Sequence, residues 1–228
     1  MVINTILQVI AQFLAVVLVL CLHEFAHAFV AYKCGDSTAK LAGRMTLNPV
    51  KHFDLLGLLA FTFIGFGWAN PVPINPNNFK KYKLGVFLTS IAGIVANLLL
   101  AFISYPLILL FLQYVYPAIS GKYLGAFLWD LLSCIYLLSL NFAAFNLLPL
   151  YPLDGFRVVT AFNKKRGSLY RFLRNNGQYI LLGLLAIHFL SSYISILGYV
   201  DLLGYAMYWI KFAFDYPITS FWHMIFNI

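Results

Sequence analysis

The chain has 228 residues, of which 62% are hydrophobic and only 10% are charged. Soluble domains contain about 45–50% apolar and about 25% charged residues, so the composition excludes a water-soluble domain. The mean hydropathy of +0.85 is typical of a multi-pass membrane protein, because a particle of this size cannot hide so much apolar surface from water. The net charge of +8 indicates membrane topology rather than binding to nucleic acid. The three cysteines are widely spaced and predict neither a disulfide framework nor a thiolate metal site.

Long apolar runs predict an all-α polytopic membrane protein with five or six membrane helices. The first run lacks the basic start and the small-residue end of a signal peptide, so we expect it to remain as a membrane helix. The last run contains Lys211, Asp215 and Pro217 and forms either a final span or an interfacial segment. In chain order the runs are 4–32, 84–116, 123–148, 177–199 and 202–226.

A shorter apolar run, 55–67, has thirteen residues, fewer than the roughly 20 that a helix needs to cross the bilayer. The prolines of the following WANPVPINPNN favour irregular or extended backbone. If the short run turns back, the three main basic clusters all lie on one face, which the positive-inside rule makes cytoplasmic. We therefore expect a re-entrant or extended proline-rich segment between the first and second full spans.

The first run also contains the sequence HEFAH, in which His23 and His27 are four residues apart. On a helix this step turns about 40° and rises about 6 Å, so both imidazoles can bind one tetrahedral zinc ion. Glu24 lies beside them and can take a proton from a water molecule on the metal. The alternative is a set of buried, neutral packing residues, but all three polar side chains would then need buried partners. His52, His188 and His223 lack a second ligand at helical spacing, which favours loop, interfacial or core roles.

A catalytic zinc site usually has three protein ligands, so two histidines leave one ligand to be found. His23 precedes Lys33 by ten residues, which sets it about 15 Å above the cytoplasmic face. Asp154 follows an apolar span that descends toward the same face, and it can reach the depth of His23 if the chain around Pro149 and Pro152 stays in the membrane. For the remaining aspartates we expect solvated, pairing or structural roles: Asp36, Asp54, Asp130, Asp201 and Asp215.

These motifs resemble those of the site-2 proteases, a family of zinc metalloproteases that cut transmembrane segments. The resemblance rests on HEFAH at 23–27 and NLLPLYPLDG at 146–155, and IAGIVANLLL at 91–100 is a weaker third feature. By resemblance these motifs belong to a catalytic core that covers roughly residues 4–160. The chain is most similar to compact members of the family, and we expect neither a PDZ domain nor a nucleotide-binding regulatory domain.

The resemblance implies a role for each matching residue. One zinc ion per chain would be bound by His23, His27 and Asp154, and Glu24 would be the catalytic base. The residues expected to contact the substrate are Asn146 and Pro152, by the same resemblance, and also Asn70 and Asn97. Asn97 lies one turn from Gly93, a spacing that indicates helix packing at least as well as catalysis.

The predicted organisation has three parts. Residues 1–160 form a catalytic membrane core, 161–176 a basic cytoplasmic loop, and 177–228 the C-terminal membrane helices. Within the core, the segment 68–75 is either an extended edge that pairs with an unwound substrate or a plain proline-rich connection.

The resemblance implies regulated intramembrane proteolysis, which is hydrolysis of peptide bonds within or near transmembrane segments. We expect the protein in the cell membrane, with its active site toward the cytoplasm. Its partners would be the lipid bilayer and the transmembrane segment of a membrane-protein substrate, such as a tethered regulator or a remnant signal peptide, and not nucleic acid. One alternative is a metal-ion transporter with an HExxH-like sequence, which needs polar ligands at successive depths. Another is a membrane scaffold with a vestigial motif.

Overall fold

A computed structural model describes residues 2–64, 67, 69–119, 121–162 and 167–227. These residues contain eight α-helices and no β-strand, which confirms the predicted all-α class. The helices are α1 (Val2–Cys34), α2 (Thr38–Leu41), α3 (Leu55–Ile64), α4 (Tyr82–Leu110), α5 (Lys122–Leu147), α6 (Asp154–Phe162), α7 (Ser168–Ser191) and α8 (Leu202–Phe226).

Helices α1, α4 and α5 form the centre of the molecule and pack against one another in pairs. Among the described residues, these three are the helices long and apolar enough to cross a membrane, with α4 extended by a π-helical turn to Val115. The packed face of α1 carries small side chains such as Ala11, Ala15 and Ala28, which are fully buried. Small side chains allow membrane helices to approach closely, so van der Waals contact can hold the three helices together.

Helices α7 and α8 pack against each other, and α8 also contacts α4 and α5. Helix α7 begins at Ser168, within the predicted basic loop, and ends at Ser191, earlier than the apolar run 177–199 predicts. Arg171 and Arg174 are exposed on its first turns, so the helix extends into the basic stretch without burying charge. Helix α8 is continuous across Pro217. Residues 163–166 of the predicted loop lie outside the described residues.

The short apolar run forms α3, whose ten residues rise about 15 Å, half of the roughly 30 Å hydrocarbon core. It therefore cannot cross a membrane alone. Beyond it lies a non-helical stretch, residues 69–75, which we call the covering segment because it lies over Glu24 of α1. Residues 65, 66 and 68 of the predicted re-entrant or proline-rich segment lie outside the described part of the chain.

Two polar side chains from the connection between α1 and α3 hold the covering segment at its ends. At the first end, Nη2 of Arg44 donates to the carbonyl oxygen of Asn70 at 2.6 Å. At the other end, Oδ2 of Asp36 accepts from the backbone N–H of Asn75 at 2.7 Å, and Oδ1 accepts from Nδ2 of Asn78 at 2.8 Å. The segment is thus tied to α1 by hydrogen bonds rather than by apolar packing alone.

The Asp36 carboxyl is buried, which by itself raises its pKa. Hydrogen bonds from Thr38, Asn78 and the N–H of Asn75 outweigh this effect and hold the pKa below its ordinary value. Since the folded pKa is depressed, the stabilisation is present above the unfolded pKa of about 3.9 and is lost as the pH falls through the folded value.

We expect Asp36→Asn to lower the free energy of unfolding by about 2 kcal/mol at pH 7, because hydrogen bonds to a charged acceptor contribute about 1.5–3 kcal/mol. The difference from wild type should shrink as the pH falls below about 4. Thermal unfolding in detergent micelles between pH 7 and pH 3 measures both effects. The control is Asp54→Asn, because among the described residues the Asp54 carboxylate accepts a single backbone N–H, from Gly57 at 2.9 Å. Equal destabilisation by the two variants would contradict the expectation.

Candidate metal centre

The two histidines of α1 and the first residue of α6 meet in the interior of the molecule. Nε2 of His23 and Nε2 of His27 are 3.0 Å apart. Oδ2 of Asp154 lies 3.3 Å from the first of these nitrogens and 3.0 Å from the second. All three side chains are buried, and among the described residues this is the one group of three or more His, Cys, Asp or Glu arranged to hold a metal ion.

These distances fit a zinc ion. In a tetrahedral site with metal–ligand bonds of about 2.0–2.1 Å, neighbouring ligand atoms are about 3.3–3.4 Å apart. The three ligand atoms here are 3.0–3.3 Å from one another, so they lie near one face of such a tetrahedron and leave its fourth corner for water or substrate.

Hydrogen bonds from α4 fix the orientation of both imidazole rings. Nδ1 of His27 lies 2.7 Å from the carbonyl oxygen of Thr89, which can only accept, so Nδ1 carries the proton and Nε2 keeps its lone pair. Nδ1 of His23 lies 3.1 Å from the side-chain amide of Asn97. Oδ1 of the Asn97 amide has no hydrogen-bond partner in the described part of the chain. If the amide is turned so that Oδ1 faces the ring, His23 can donate from Nδ1, and the lone pair of its Nε2 is then available to a metal ion.

Gly93 makes this contact between α1 and α4 possible. A Cβ at position 93 would lie 2.5 Å from Nε2 of His27 and 2.6 Å from Nδ1 of His23. Both distances are too short for real carbon contacts, so any larger residue must displace a ring. The residue that we associated with helix packing therefore also provides the space in which the ligands lie.

Asp154 is positioned by the tight connection between α5 and α6. Two backbone hydrogen bonds turn the chain, from Leu150 N–H to Leu148 O at 2.9 Å and from Leu153 N–H to Leu150 O at 2.8 Å. Gly155 lies against the last carbonyl groups of α5, where a Cβ would overlap them. While Oδ2 of Asp154 faces the histidines, Oδ1 lies 3.7 Å from Nη1 of Arg157. The partly exposed guanidinium therefore partners the carboxylate oxygen that faces away from the metal centre.

A small cavity of about 150 Å³ contains the metal centre and Glu24. Oε2 of Glu24 accepts a hydrogen bond from the backbone N–H of Val72, at 3.0 Å. The end of α5 contributes Asn146 to the lining and the α5–α6 connection contributes Pro152, while the covering segment contributes Pro71, Val72 and Ile74. The cavity thus has ligands and a carboxylate at its base and backbone on one side.

The other predicted substrate contacts lie elsewhere. Asn97 is fully buried behind His23, and the exposed Asn70 donates from Nδ2 to the carbonyl of Phe53 at 3.2 Å. Neither lines the cavity.

The sequence predicted no role for the Thr89 carbonyl, because a backbone acceptor leaves no sequence signal. It also gave none to Arg44, and it assigned Asp36 only a solvated or pairing role.

The remaining histidines bind other groups. Nδ1 of His188 lies 2.8 Å from Oδ2 of Asp201, and Nε2 of His223 lies 2.8 Å from the Tyr105 hydroxyl. His52 is buried, with Nε2 lying 2.6 Å from the carbonyl oxygen of Thr46. These contacts are consistent with the structural roles expected for all three.

Fold and site together define a helical membrane protein in which a buried His–His–Asp group that could hold a metal ion lies beside a glutamate. The sequence profile of Peptidase family M50 matches residues 11–190, so the chain belongs to this family, the site-2 proteases, as the motifs indicated. It is a multi-pass membrane protein.

Two relatives are similar over part of the chain. The "Putative zinc metalloprotease YwhC" of Bacillus subtilis is 49% identical over 138 residues, which cover 60% of this chain and 62% of the relative. The "Putative zinc metalloprotease Rip2" of Mycolicibacterium smegmatis is 32% identical over 142 residues, which cover 60% of this chain and 51% of the relative. The matched part thus spans between half and two thirds of either relative. No solved structure matches the chain significantly.

We expect Gly93→Ala to reduce bound zinc at least about tenfold, because an added methyl group must move one of the two histidine rings. Metal content of the purified protein, measured by mass spectrometry, tests this. Gly183→Ala is the matched control, since open space surrounds a Cβ at that position of α7. Helical content by circular dichroism should be equal in the two variants, and a Gly93→Ala protein with a full complement of zinc would contradict the assignment.

Proposed function

We propose that this chain is an intramembrane zinc metalloendopeptidase that hydrolyses peptide bonds within or near transmembrane segments of membrane proteins. The observation that carries the proposal is the presence of Glu24 in the same buried cavity as His23, His27 and Asp154. A glutamate beside a three-ligand metal centre with an open fourth position is the arrangement that metal-assisted hydrolysis requires. Membership of Peptidase family M50 supports both the zinc ion and the reaction, and we propose one ion per chain because the described residues contain one such His–His–Asp group.

Bound zinc supplies a Lewis acid that lowers the pKa of water and polarises a carbonyl group. Glu24 accepts the proton of the attacking water and delivers a proton to the leaving amine. The N–H of Val72 holds one oxygen of this carboxylate, which orients the other toward the cavity. The Thr89 carbonyl keeps the proton of His27 on Nδ1, and Asn97 with Oδ1 turned toward the ring would do the same for His23, so that both Nε2 atoms would be available to the metal.

The substrate is proposed to bind in extended form between the covering segment and the α5–α6 connection. A helical substrate hides its peptide bonds, so cleavage requires local unwinding, which exposes N–H and C=O groups that need partners in the membrane. Pro71, Val72 and Ile74 line the cavity as non-helical backbone. Pro71 and Pro73 have no N–H, and the N–H of Val72 is bonded to Glu24. The carbonyl groups of the segment and the N–H of Ile74 would therefore supply the partners by strand addition. Asn146 and Pro152 in the cavity lining would contact the scissile peptide, whereas Asn97 would position His23 rather than touch the substrate.

We also propose the topology expected from the sequence. Five or six helices cross the membrane, α3 with the covering segment enters without crossing, and the active site opens toward the cytoplasm of the cell membrane. Residues 1–160 are the catalytic core, to which 161–176 add a basic cytoplasmic loop and 177–228 the C-terminal helices. In this arrangement the enzyme acts in regulated intramembrane proteolysis of membrane-tethered substrates.

Transport of metal ions is less well supported by the same geometry. A transport pathway needs ligands at successive depths, whereas the three ligands here converge on one point beside a potential general base.

We expect Glu24→Gln to retain zinc and to abolish cleavage of a single-span substrate in proteoliposomes, because glutamine has nearly the same shape but cannot accept the proton. A loss of at least about 10³-fold in kcat is consistent with removal of a general base. Undiminished cleavage by this variant would exclude Glu24 as the base. Zinc uptake into the same vesicles without proteolysis would instead favour transport.

The companion variant is Asp154→Asn. It removes the charge of the third ligand, so we expect loss of both zinc and activity, in contrast to Glu24→Gln. Zinc affinity and activity at wild-type level in the Asp154 variant would remove this residue from the ligand set.

A further inference from the structure

A second cavity adjoins the cavity that contains His23, His27 and Asp154. Its volume is about 550 Å³, against about 150 Å³ for the cavity with the metal ligands. The two cavities share three residues, Val72, Ile74 and Arg157. An extended chain that passes these residues on its way out of the metal centre therefore enters the second cavity.

Positive charge is concentrated in this second cavity. Lys83 of α4, Arg157 of α6 and Arg174 of α7 all line it, and none of the described residues in its wall is acidic. Arg157 has a carboxylate neighbour in Asp154, at 3.7 Å. Lys83 and Arg174 form no ion pair with any carboxylate in the described part of the chain, so two of the three charges can receive an anion from outside.

Aromatic hydroxyl groups surround these charges. Tyr82, Tyr151 and Tyr170 line the same cavity, and Nη1 of Arg174 donates to the Tyr170 hydroxyl at 2.9 Å. This hydrogen bond holds the guanidinium in place. The buried Phe79 and Phe156 add apolar surface to the wall, against which the methylene groups of a longer side chain can pack.

Membrane topology alone does not explain this arrangement. The positive-inside rule requires basic residues near the cytoplasmic ends of membrane helices, but it does not require them to face one another. Here three helices that are distant in sequence each direct one basic side chain into one cavity. Like charges that face one cavity repel each other, and an anion bound among them would relieve this repulsion.

We propose that this cationic cavity is a subsite for acidic side chains of the protein substrate, close to the bond that is cut. The inference rests on the proposed proteolytic function. The two cavities share Val72, Ile74 and Arg157, so a substrate strand that rises about 3.3 Å per residue reaches the second cavity within a few residues of the scissile bond. Carboxylates there replace the counter-ions of Lys83 and Arg174, and the enzyme prefers substrates with Asp or Glu at these positions.

The experiment uses the full chain in phosphatidylcholine proteoliposomes with single-span substrates. In one substrate, two Glu residues lie three and four positions from the cleaved bond, and in its partner both are Gln. Separate pairs carry the change on the amino and on the carboxyl side. One of the two sides leads into the cationic cavity. For the pair changed on that side, we expect the Glu substrate to have a KM about tenfold lower than the Gln substrate, with similar kcat. The ratio should decrease as salt is added.

The double variant Lys83→Gln/Arg174→Gln should bring the KM ratio of that pair to about one. Lys81→Gln is the matched control, because this neighbouring exposed lysine does not line the cavity and should retain the preference. A charge-reversed enzyme, Lys83→Glu/Arg174→Glu, should prefer a substrate with Lys at the same positions, a gain that a misfolded protein cannot give. Equal KM values for Glu and Gln substrates in both wild-type pairs would overturn the proposal.

Two further measurements separate the possible failures. Substrate affinity, measured by fluorescence anisotropy with the Glu24→Gln protein, tests the subsite without cleavage, so a lack of proteolysis in wild type would reject only the proposed function. Replacing a third of the lipid by phosphatidylglycerol tests a lipid headgroup as the ligand. If the Lys83/Arg174 variants change the effect of phosphatidylglycerol on KM by the same factor for Glu and for Gln substrates, the cavity binds lipid and the proposal is wrong.

Discussion

The close approach of α4 to α1 at Gly93 is the contact on which the metal centre depends. Only a residue without a Cβ leaves space for the two histidine rings between these helices. The same approach brings the Thr89 carbonyl and the Asn97 amide within hydrogen-bond distance of the rings, one helical turn to either side of Gly93. Helix packing and ligand geometry are therefore linked here, since the residue that lets the helices approach also brings a hydrogen-bond partner within reach of each ring.

The covering segment solves a second problem, which is how non-helical backbone can lie close to apolar helices. Its polar groups need partners, and several of these are charged side chains that the chain uses sparingly. Asp36 accepts the N–H of Asn75, Arg44 donates to the carbonyl of Asn70, and Glu24 accepts the N–H of Val72 between them. Because Glu24 is one of these partners, the position of the segment is coupled to the orientation of the proposed base.

The sequence predicts what depends on local spacing and composition. HEFAH places two ligands and a carboxylate on one helix, and the central membrane helices follow from hydropathy within a few residues. The start of α7 is not predictable in this way, because hydropathy measures apolar content, whereas exposed arginines allow the helix to begin before the apolar run. The two hydrogen bonds from α4 to the histidines join residues 62 and 74 positions apart. Such contacts arise from tertiary packing, which explains why Asn97 was expected at the substrate rather than behind a ligand.

The unequal sizes and charges of the two adjoining cavities suit a membrane-embedded hydrolase. The smaller cavity has room for little more than one peptide bond and the water that attacks it. Unwinding a substrate helix costs free energy, and a contact that is made equally before and during the reaction acts on KM rather than on kcat. Binding energy from a neighbouring subsite can offset that cost. A cationic cavity suits this purpose. An acidic residue is unfavourable in an apolar span, and when the span unwinds the carboxylate can move out of the apolar surroundings and pair with a basic side chain.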